Sequence, residues 1–378
     1  MKNLIFFLLI MTLPLSAYAK YVKKPHSNVD KREPAADAAK PDPRFCIFGA
    51  QSGKPFNTEA AFKSVVWKSD VVYVGETHDQ AADHQAQFEA LKAMKIARGS
   101  KIAVGFEMLN QTLQPVLDEY ASGAITQEEF LTRVNWQKEW GFDFNLYKPL
   151  FDFIAENKLR GLALNVPKKV VGKIARTGLD SLTPEEKAFL PEQVTVTTHK
   201  KYNEYLKASF AGHGDSPMAK MFTLENYLAS MAAWNEGMGN KVAEFLNANP
   251  GWSVLVVAGN GHVIYNAAIP ASVKARVKGV RQASFYTEGE PCQETLKKDH
   301  KDLANYVWYT NHPPKPEPAK PAEQAPAEQA PAASTGTATA PALMPAIKSD
   351  LPEVQRANVD AESNKDLKEA IQKVKSGN

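Results

Sequence analysis

The chain has 378 residues, 44% hydrophobic and 23% charged, with a formal net charge of +3 from 45 basic and 42 acidic side chains. That length and apolar content suffice for a large folded domain, and the well-mixed charges, with no basic stripe carrying interleaved aromatics, argue against nucleic-acid binding. The two cysteines form no Cys-x-x-Cys pair, so a zinc ribbon, a thioredoxin-type site and covalent haem attachment find no support.

Met1, Lys2 and Asn3 make a short positive start, Leu4 to Ser16 is an apolar run, and Ala17-Tyr18-Ala19 places small residues where a signal peptidase reads. Residues 1–19 are therefore expected to be a cleaved secretory signal, which puts the mature protein in the periplasm or outside the cell. The run is shorter than the roughly 20 residues a spanning helix needs. No cysteine follows it, so it is not a lipoprotein signal. Residues 20–44 are polar and read as a linker, and residues 45–312 as a globular region. Cys46 and Cys292 bracket that region. Export permits a disulfide between them, worth about 4–5 kcal/mol in the chain-entropy model; two buried free thiols are the alternative.

Four apolar runs that do not alternate read as buried parallel strands: Val71–Val74, Ile102–Phe106, Leu162–Leu164 and Val254–Ala258. Helical patterns lie between them. Asp83 to Lys95 carries His84, Phe88 and Leu91 on one face. Thr126-Gln-Glu-Glu and Thr183-Pro-Glu-Glu are capping boxes that open helices. Gln111 to Trp140 is helical and is expected to form a cap. Phe222 to Leu246 has apolar residues at core-helix spacing, among them Leu228, Met231, Met238 and Val242. Strand and helix in alternation predict an α/β fold: a largely parallel central sheet with helices on both faces.

From residue 313 to 346 prolines and alanines dominate, and Pro-Ala-Glu-Gln-Ala occurs twice. Such a segment cannot bury enough apolar area to fold, and is expected to be a disordered spacer reaching at most about 100 Å. Residues 347–378 are polar, with a short amphipathic helix expected near Leu367, Ile371 and Val374. The tail either tethers the domain to an envelope partner or is inert.

Open α/β sheets bind ligands beyond the carboxyl ends of their strands. The four strands lead into Gly75-Glu76-Thr77-His78, Glu107, Asn165 and Gly259-Asn260-Gly261-His262. Two of these share the pattern Gly-x-x-His, in which a glycine is expected to let the chain turn and present an imidazole. His78, Glu107 and His262 could hold a divalent transition metal, act as a general acid/base set, or hydrogen-bond a bound anion. Glu76 is expected to orient its turn. His84 either joins the site or packs on Phe88. His199, His213, His300 and His312 read as surface residues. Trp136, Trp140, Tyr147, Tyr202 and Tyr205 either belong to the core or line a flat apolar ligand.

Val-Gly-Glu-Thr-His-Asp at 74–79, with His84 behind it, resembles the opening motif of the ChaN-like haem-binding proteins, relatives of the Tiki-type metalloproteases and erythromycin esterases. Gly105-Phe-Glu-Met108, Ala163-Leu-Asn-Val-Pro167, Met231-Ala232, and Ala258-Gly-Asn-Gly-His-Val263 with Ile269-Pro270 match later motifs in order, so the resemblance spans about 50–285. It implies haem binding in haem or iron uptake, through a tyrosine on the iron and histidine and lysine contacts to the propionates, across a haem-linked homodimer. The motifs do not mark which tyrosine that is. Cofactor-contacting positions under this reading are Glu76, His78, His84, Glu107, Asn165 and His262. The Tiki-type resemblance implies instead a metal-dependent hydrolase using His78, Glu107 and His262. ChaN proteins of this kind are lipoproteins; the missing lipidation cysteine and the added tail are departures.

Overall fold

The computed structural model describes residues 42–212 and 222–313. The expected signal peptide, most of the 20–44 linker, His213 and the tail beyond Pro313 lie outside the described residues. The described residues form one seven-stranded sheet: β1 Ile47–Gly49, β2 Val71–Val74, β3 Ile102–Asn110, β4 Arg160–Asn165, β5 Ser253–Val257, β6 Gln282–Glu288 and β7 Tyr306–Tyr309. The order is β1-β7-β6-β2-β5-β3-β4, and every neighbouring pair is parallel except β1 with β7. The four expected strands form the half of the sheet from β2 to β4. One boundary differs: β3 runs on to Asn110, so Glu107 lies within the strand rather than after it. Its pairing with β4 shifts between Phe106 and Asn110, an irregularity of the kind that re-aims side chains beside sites.

Side chains that alternate along the strands serve two helical layers. Val72, Val74, Val104, Phe106, Leu255 and Val257 face one of them. That layer comprises α1 Glu59–Lys68, α2 Ala81–Arg98, α3 Gln114–Ser122, α4 Gln127–Val134, α5 Trp136–Glu139 and α6 Phe144–Glu156. Val71, Tyr73, Ala103, Val254 and Val256 face the other. There the chain places α7 Lys168–Thr177, α8 Pro184–Lys187, α9 Lys200–Gly212, α10 Leu224–Ala248 and α11 Ile269–Arg276, with Met238 and Val242 of α10 against the sheet. Each fully buried valine on either face contributes about 1.5 kcal/mol or more by leaving water. Both capping boxes form, although the second opens a helix of a single turn.

Cys46 and Cys292 are joined by a disulfide with a Cα–Cα distance of 5.7 Å, closing a sequence separation of 246. Cys46 is buried and Cys292 exposed, so the alternative of two buried thiols does not hold. Two histidines expected at the surface are instead built in. His300 is buried with its Nδ1 3.0 Å from the Tyr309 hydroxyl, and His312 Nε2 lies 2.8 Å from Asp83 Oδ1. His199 is exposed as expected.

Candidate functional site

Strand pairing sets the carboxyl ends of the central strands level. Val74 lies beside Val257, and Val257 beside Phe106, so the residues that follow them emerge at one edge. The connection leaving β2 runs through α2 on one face, whereas that leaving β5 runs through α11 on the other. Chains departing in opposite directions open a crevice between neighbouring strand ends, and the site occupies it.

The glycines of the two Gly-x-x-His turns are required by contact rather than by backbone conformation. Neither Gly75 nor Gly259 has a positive φ. A Cβ on Gly75 would stand 2.1 Å from Asn260 Oδ1, and one on Gly259 would stand 2.8 Å from His78 Cε1. The first glycine thus lets the two turns interlock, since Asn260 N–H also donates to Glu76 O at 2.9 Å. The second lets the Cε1–Nε2 edge of the His78 ring approach the opposite turn.

On the α2 side of the sheet edge, Glu76 is fully enclosed. Its Oε1 lies 2.7 Å from His78 Nδ1 and accepts the Tyr147 hydroxyl at 2.8 Å. Its Oε2 accepts Gln87 Nε2–H at 2.6 Å and lies 3.4 Å from His84 Nδ1. Burial alone pushes the carboxyl up; the His84 and His78 rings and the Gln87 amide outweigh it and bring it down to about 2. Tyr147 shows the converse: burial, reinforced by Glu76, pushes its phenol well up. His84 joins this group rather than packing on Phe88, with its ring centroid 4.3 Å from that of Tyr147.

On the α10 side, Glu107 Oε2 accepts Gly259 N–H at 2.6 Å, and its Oε1 lies 3.3 Å from His262 Nε2. Burial again raises this carboxyl, and the neighbouring His262 and His78 rings with the Gly259 N–H hold it below its usual range. His262 Nδ1 lies 2.6 Å from Asn235 Oδ1. Asn235 Nδ2–H donates to the Tyr202 hydroxyl at 2.9 Å, and that hydroxyl donates to Gly261 O at 3.0 Å. Asn165 braces the strand end by donating from Nδ2 to Glu107 O at 2.9 Å.

Between the two halves lies a cavity of about 70 Å³, lined by His78, Glu107, Asn165, Lys168, His262 and an aromatic wall that includes Trp140, Tyr205 and Trp234. Trp140 stands edge-on to His78 with ring centroids 4.8 Å apart. Trp136 lies deeper, against Phe144 and Tyr147. Asn165 Oδ1 and Trp234 Nε1 are buried there without a hydrogen-bond partner. Burial holds the Lys168 ammonium below its ordinary pKa, with Glu139 opposing.

The structure therefore brings His78, Glu107, Asn165 and His262 to one cavity and sets Glu76 and His84 behind His78, away from its walls. Sequence reasoning missed Gln87, Asn235 and Lys168. Gln87 and Asn235 were legible only as polar interruptions in otherwise core-facing helices. Among the described residues no three His, Cys, Asp or Glu side chains are arranged to hold a metal ion. The expected metal set of His78, Glu107 and His262, and the hydrolase reading built on it, thus have no support in the geometry: the Glu107 oxygens are turned onto the Gly259 N–H and the His262 ring. No helix among the described residues is long and apolar enough to cross a membrane.

Comparison with known proteins agrees with the motif order. The fold is similar to that of ChaN of Campylobacter jejuni, whose structure is described as cofacial haem binding, with a TM-score of 0.53, 18% identity, and coverage of 69% of this chain and 94% of that one. An erythromycin esterase in its open conformation is a more distant match, with a TM-score of 0.35, 14% identity, and coverage of 63% and 70%. Protein RETICULATA-RELATED 5, chloroplastic, of Arabidopsis thaliana is 20% identical over 270 residues, or 66% of this chain, and the match spans only 35% of that relative's length. Residues 64–273, more than half of the sequence and including every residue of the site, match the family described as haem-binding uptake, Tiki superfamily, ChaN, and the chain belongs to that family.

Proposed function

We propose that this is an exported haem-binding protein that takes part in haem or iron acquisition, with the cavity at the ends of β2, β5 and β3 as the core of its binding site. The observation that carries the reading is the lining itself, in a chain of this family: two tyrosines, a lysine and two histidines gathered on an aromatic wall. Size sets how the group would be held. Pockets that engulf a drug-sized ligand run to about 300–1,000 Å³, and a cavity of about 70 Å³ cannot enclose a porphyrin. Haem would have to be held at the mouth, against Trp140, Phe142 and Tyr205. Two buried polar atoms without partners, Asn165 Oδ1 and Trp234 Nε1, fit a polar group entering from that mouth.

The chemistry of the donor set also fits. Haem iron, if bound, would take a phenolate oxygen as a ligand. Tyr147 and Tyr202 are fully buried and do not line the cavity, and Tyr227 lines it but is buried, with its hydroxyl donating to Ser209 Oγ at 3.1 Å. Tyr205 is only half-buried, and its hydroxyl reaches the cavity, 2.9 Å from where a Cβ on Gly261 would lie. Tyr205 would ligate the iron, Lys168 would pair with a propionate, and His78 and His262 would be hydrogen-bonding contacts. Glu76 and His84 act by holding His78, and Asn165 by bracing Glu107. A haem-linked homodimer, and an envelope partner reached by the tail, belong to the same proposal. Titrating purified protein with haemin tests it: a shifted, saturable Soret band weakened in Tyr205→Phe is expected, and absence of saturable binding would overturn it.

A further inference from the structure

The edge of the sheet opposite the cavity carries a surface that haem binding does not use. Here α1, α2, α6, α10 and α11 end and the chain turns into β2, β3, β4, β5 and β6. Parallel pairing sets these entries side by side. Asp70 N–H donates to Arg281 O at 2.7 Å, Val254 N–H to Asp70 O at 2.9 Å, and Ser253 N–H to Lys101 O at 3.0 Å, while Ala103 lies beside Arg160. Cations scattered along the sequence therefore meet at one edge. Arg160, Arg276 and Arg281 are occupied by Asp118, Glu236 and Asp70. Lys68, Lys95, Lys101, Lys158 and Lys278 enter no ion pair among the described residues, and all except half-buried Lys95 are exposed. The acids at these turns are Asp70, already paired, and Glu156.

Three large apolar side chains are exposed among the described residues, and two of them lie at this edge: Trp67, 43% exposed, and Ile96, 64% exposed. They stand on the last turns of α1 and α2, which are tied together. Trp67 Nε1–H donates to Ala93 O at 3.0 Å, and Arg98 Nη2–H donates to Trp67 O at 3.0 Å. Cations at helix C-termini offset the helix dipole, which accounts for Lys68, Lys95 and Arg98. It does not account for Lys101 and Lys158, which lie beyond the helices, or for apolar side chains left in water among them.

We propose that this edge is a peripheral docking surface for anionic lipid headgroups, with Trp67 and Ile96 entering the interfacial layer and Lys68, Lys95 and Lys101 beside them meeting the phosphates. Side-chain chemistry favours a lipid surface over a folded acidic partner. Lysines are point charges on long stems and suit a fluid array of phosphates. Arginine forks, which match an ordered carboxylate pattern, are here engaged with the protein's own acids. An indole with an aliphatic neighbour suits the headgroup boundary. Docking through this edge keeps the cavity, at the carboxyl ends of the strands, turned away from the bilayer.

Co-sedimentation of the full chain with phosphatidylcholine vesicles, with and without phosphatidylglycerol, tests the proposal. Binding should be saturable on the anionic vesicles, absent on the neutral ones, and weakened by salt. Lys68→Glu combined with Lys101→Glu should weaken it at least about 30-fold, at roughly fivefold for each lysine brought to the surface. Trp67→Ser combined with Ile96→Ser should weaken it as well, and Val196→Ser, at the third exposed apolar side chain, should not. The variants share every other segment of the chain, so the comparison isolates this edge. If the Trp67 variant does not fold, the exposed lysines decide alone. No binding to anionic vesicles, equal binding to neutral ones, or binding that survives the lysine substitutions would overturn the proposal. Heparin binding that depends on these lysines, in a protein that ignores vesicles, would mark a site for a soluble polyanion and overturn the lipid assignment. A failed haemin titration would defeat the function proposed above and leave the vesicle result unchanged.

Discussion

Replacing Glu76 with glutamine removes one buried charge and changes little else in volume, so the cost can be worked from the contacts. In the native protein the carboxylate receives the Tyr147 hydroxyl and the Gln87 amide, faces His78 Nδ1, and lies 3.4 Å from His84. An amide supplies one acceptor where the carboxylate supplied two, and turns N–H groups onto donors. Removing one partner of a buried ion pair costs about 3–5 kcal/mol. Titration gives an independent figure. Bringing the carboxyl from 4.5 down to about 2, at roughly 1.4 kcal/mol per pH unit, amounts to about 3 kcal/mol. Because the folded pKa is depressed, that stability is fully present above pH 4.5 and is lost as the pH falls toward 2. Urea unfolding with the disulfide intact, followed by tryptophan fluorescence from pH 7 to pH 2.5, should show Glu76→Gln destabilised by about 3–5 kcal/mol at pH 7. Below pH 4.5 the gap to wild type should narrow. A loss under about 1 kcal/mol, or a gap that does not narrow in acid, would refute the placement of a buried carboxylate among these partners.

Asn235→Leu should destabilise the fold by about 1–3 kcal/mol in the same assay at pH 7, because the His262 Nδ1 and the Tyr202 hydroxyl lose their shared partner. Gly259→Ala must push His78 aside, since the new Cβ would fall 2.8 Å from its ring. The expected outcome is about 1–3 kcal/mol of destabilisation and a weakened haemin titration. A thiol count under denaturing, non-reducing conditions should find no free thiol, and Cys292→Ser should lower stability by about 2–5 kcal/mol.

The half of the fold that holds the site was legible in the sequence because its strands are buried on both faces and read as unbroken apolar runs. β1, β6 and β7 were not legible. β1 and β7 have three and four residues, and Gln282–Glu288 mixes polar with apolar positions. Glycine placement marked both site turns, although the physical reason differed: Gly75 and Gly259 make room for Asn260 and His78 where a sharp backbone turn was expected. His78, Glu107 and His262 were found because each follows closely on an unbroken apolar run that reads as a strand. The residues that hydrogen-bond them or their neighbours were not, because Gln87 and Asn235 lie on helices and meet the site only after folding. His300 and His312 were misread for a similar reason: their partners Tyr309 and Asp83 come from other elements of the fold. The metal reading rested on residue types, their places after the strands and the Tiki-type resemblance, and the hydrogen bonds that occupy Glu107 could not be read from any of these.

Haemin titration of the purified protein, compared with Tyr205→Phe and Lys168→Ala, tests the central claim most directly. The account predicts a saturable Soret shift in the wild type, an altered band with weaker binding in Tyr205→Phe, and weaker binding with an unaltered band in Lys168→Ala, since the lysine is assigned to a propionate and the tyrosine to the iron. A wild-type protein with no saturable shift, or one whose band and affinity survive both substitutions, would contradict it.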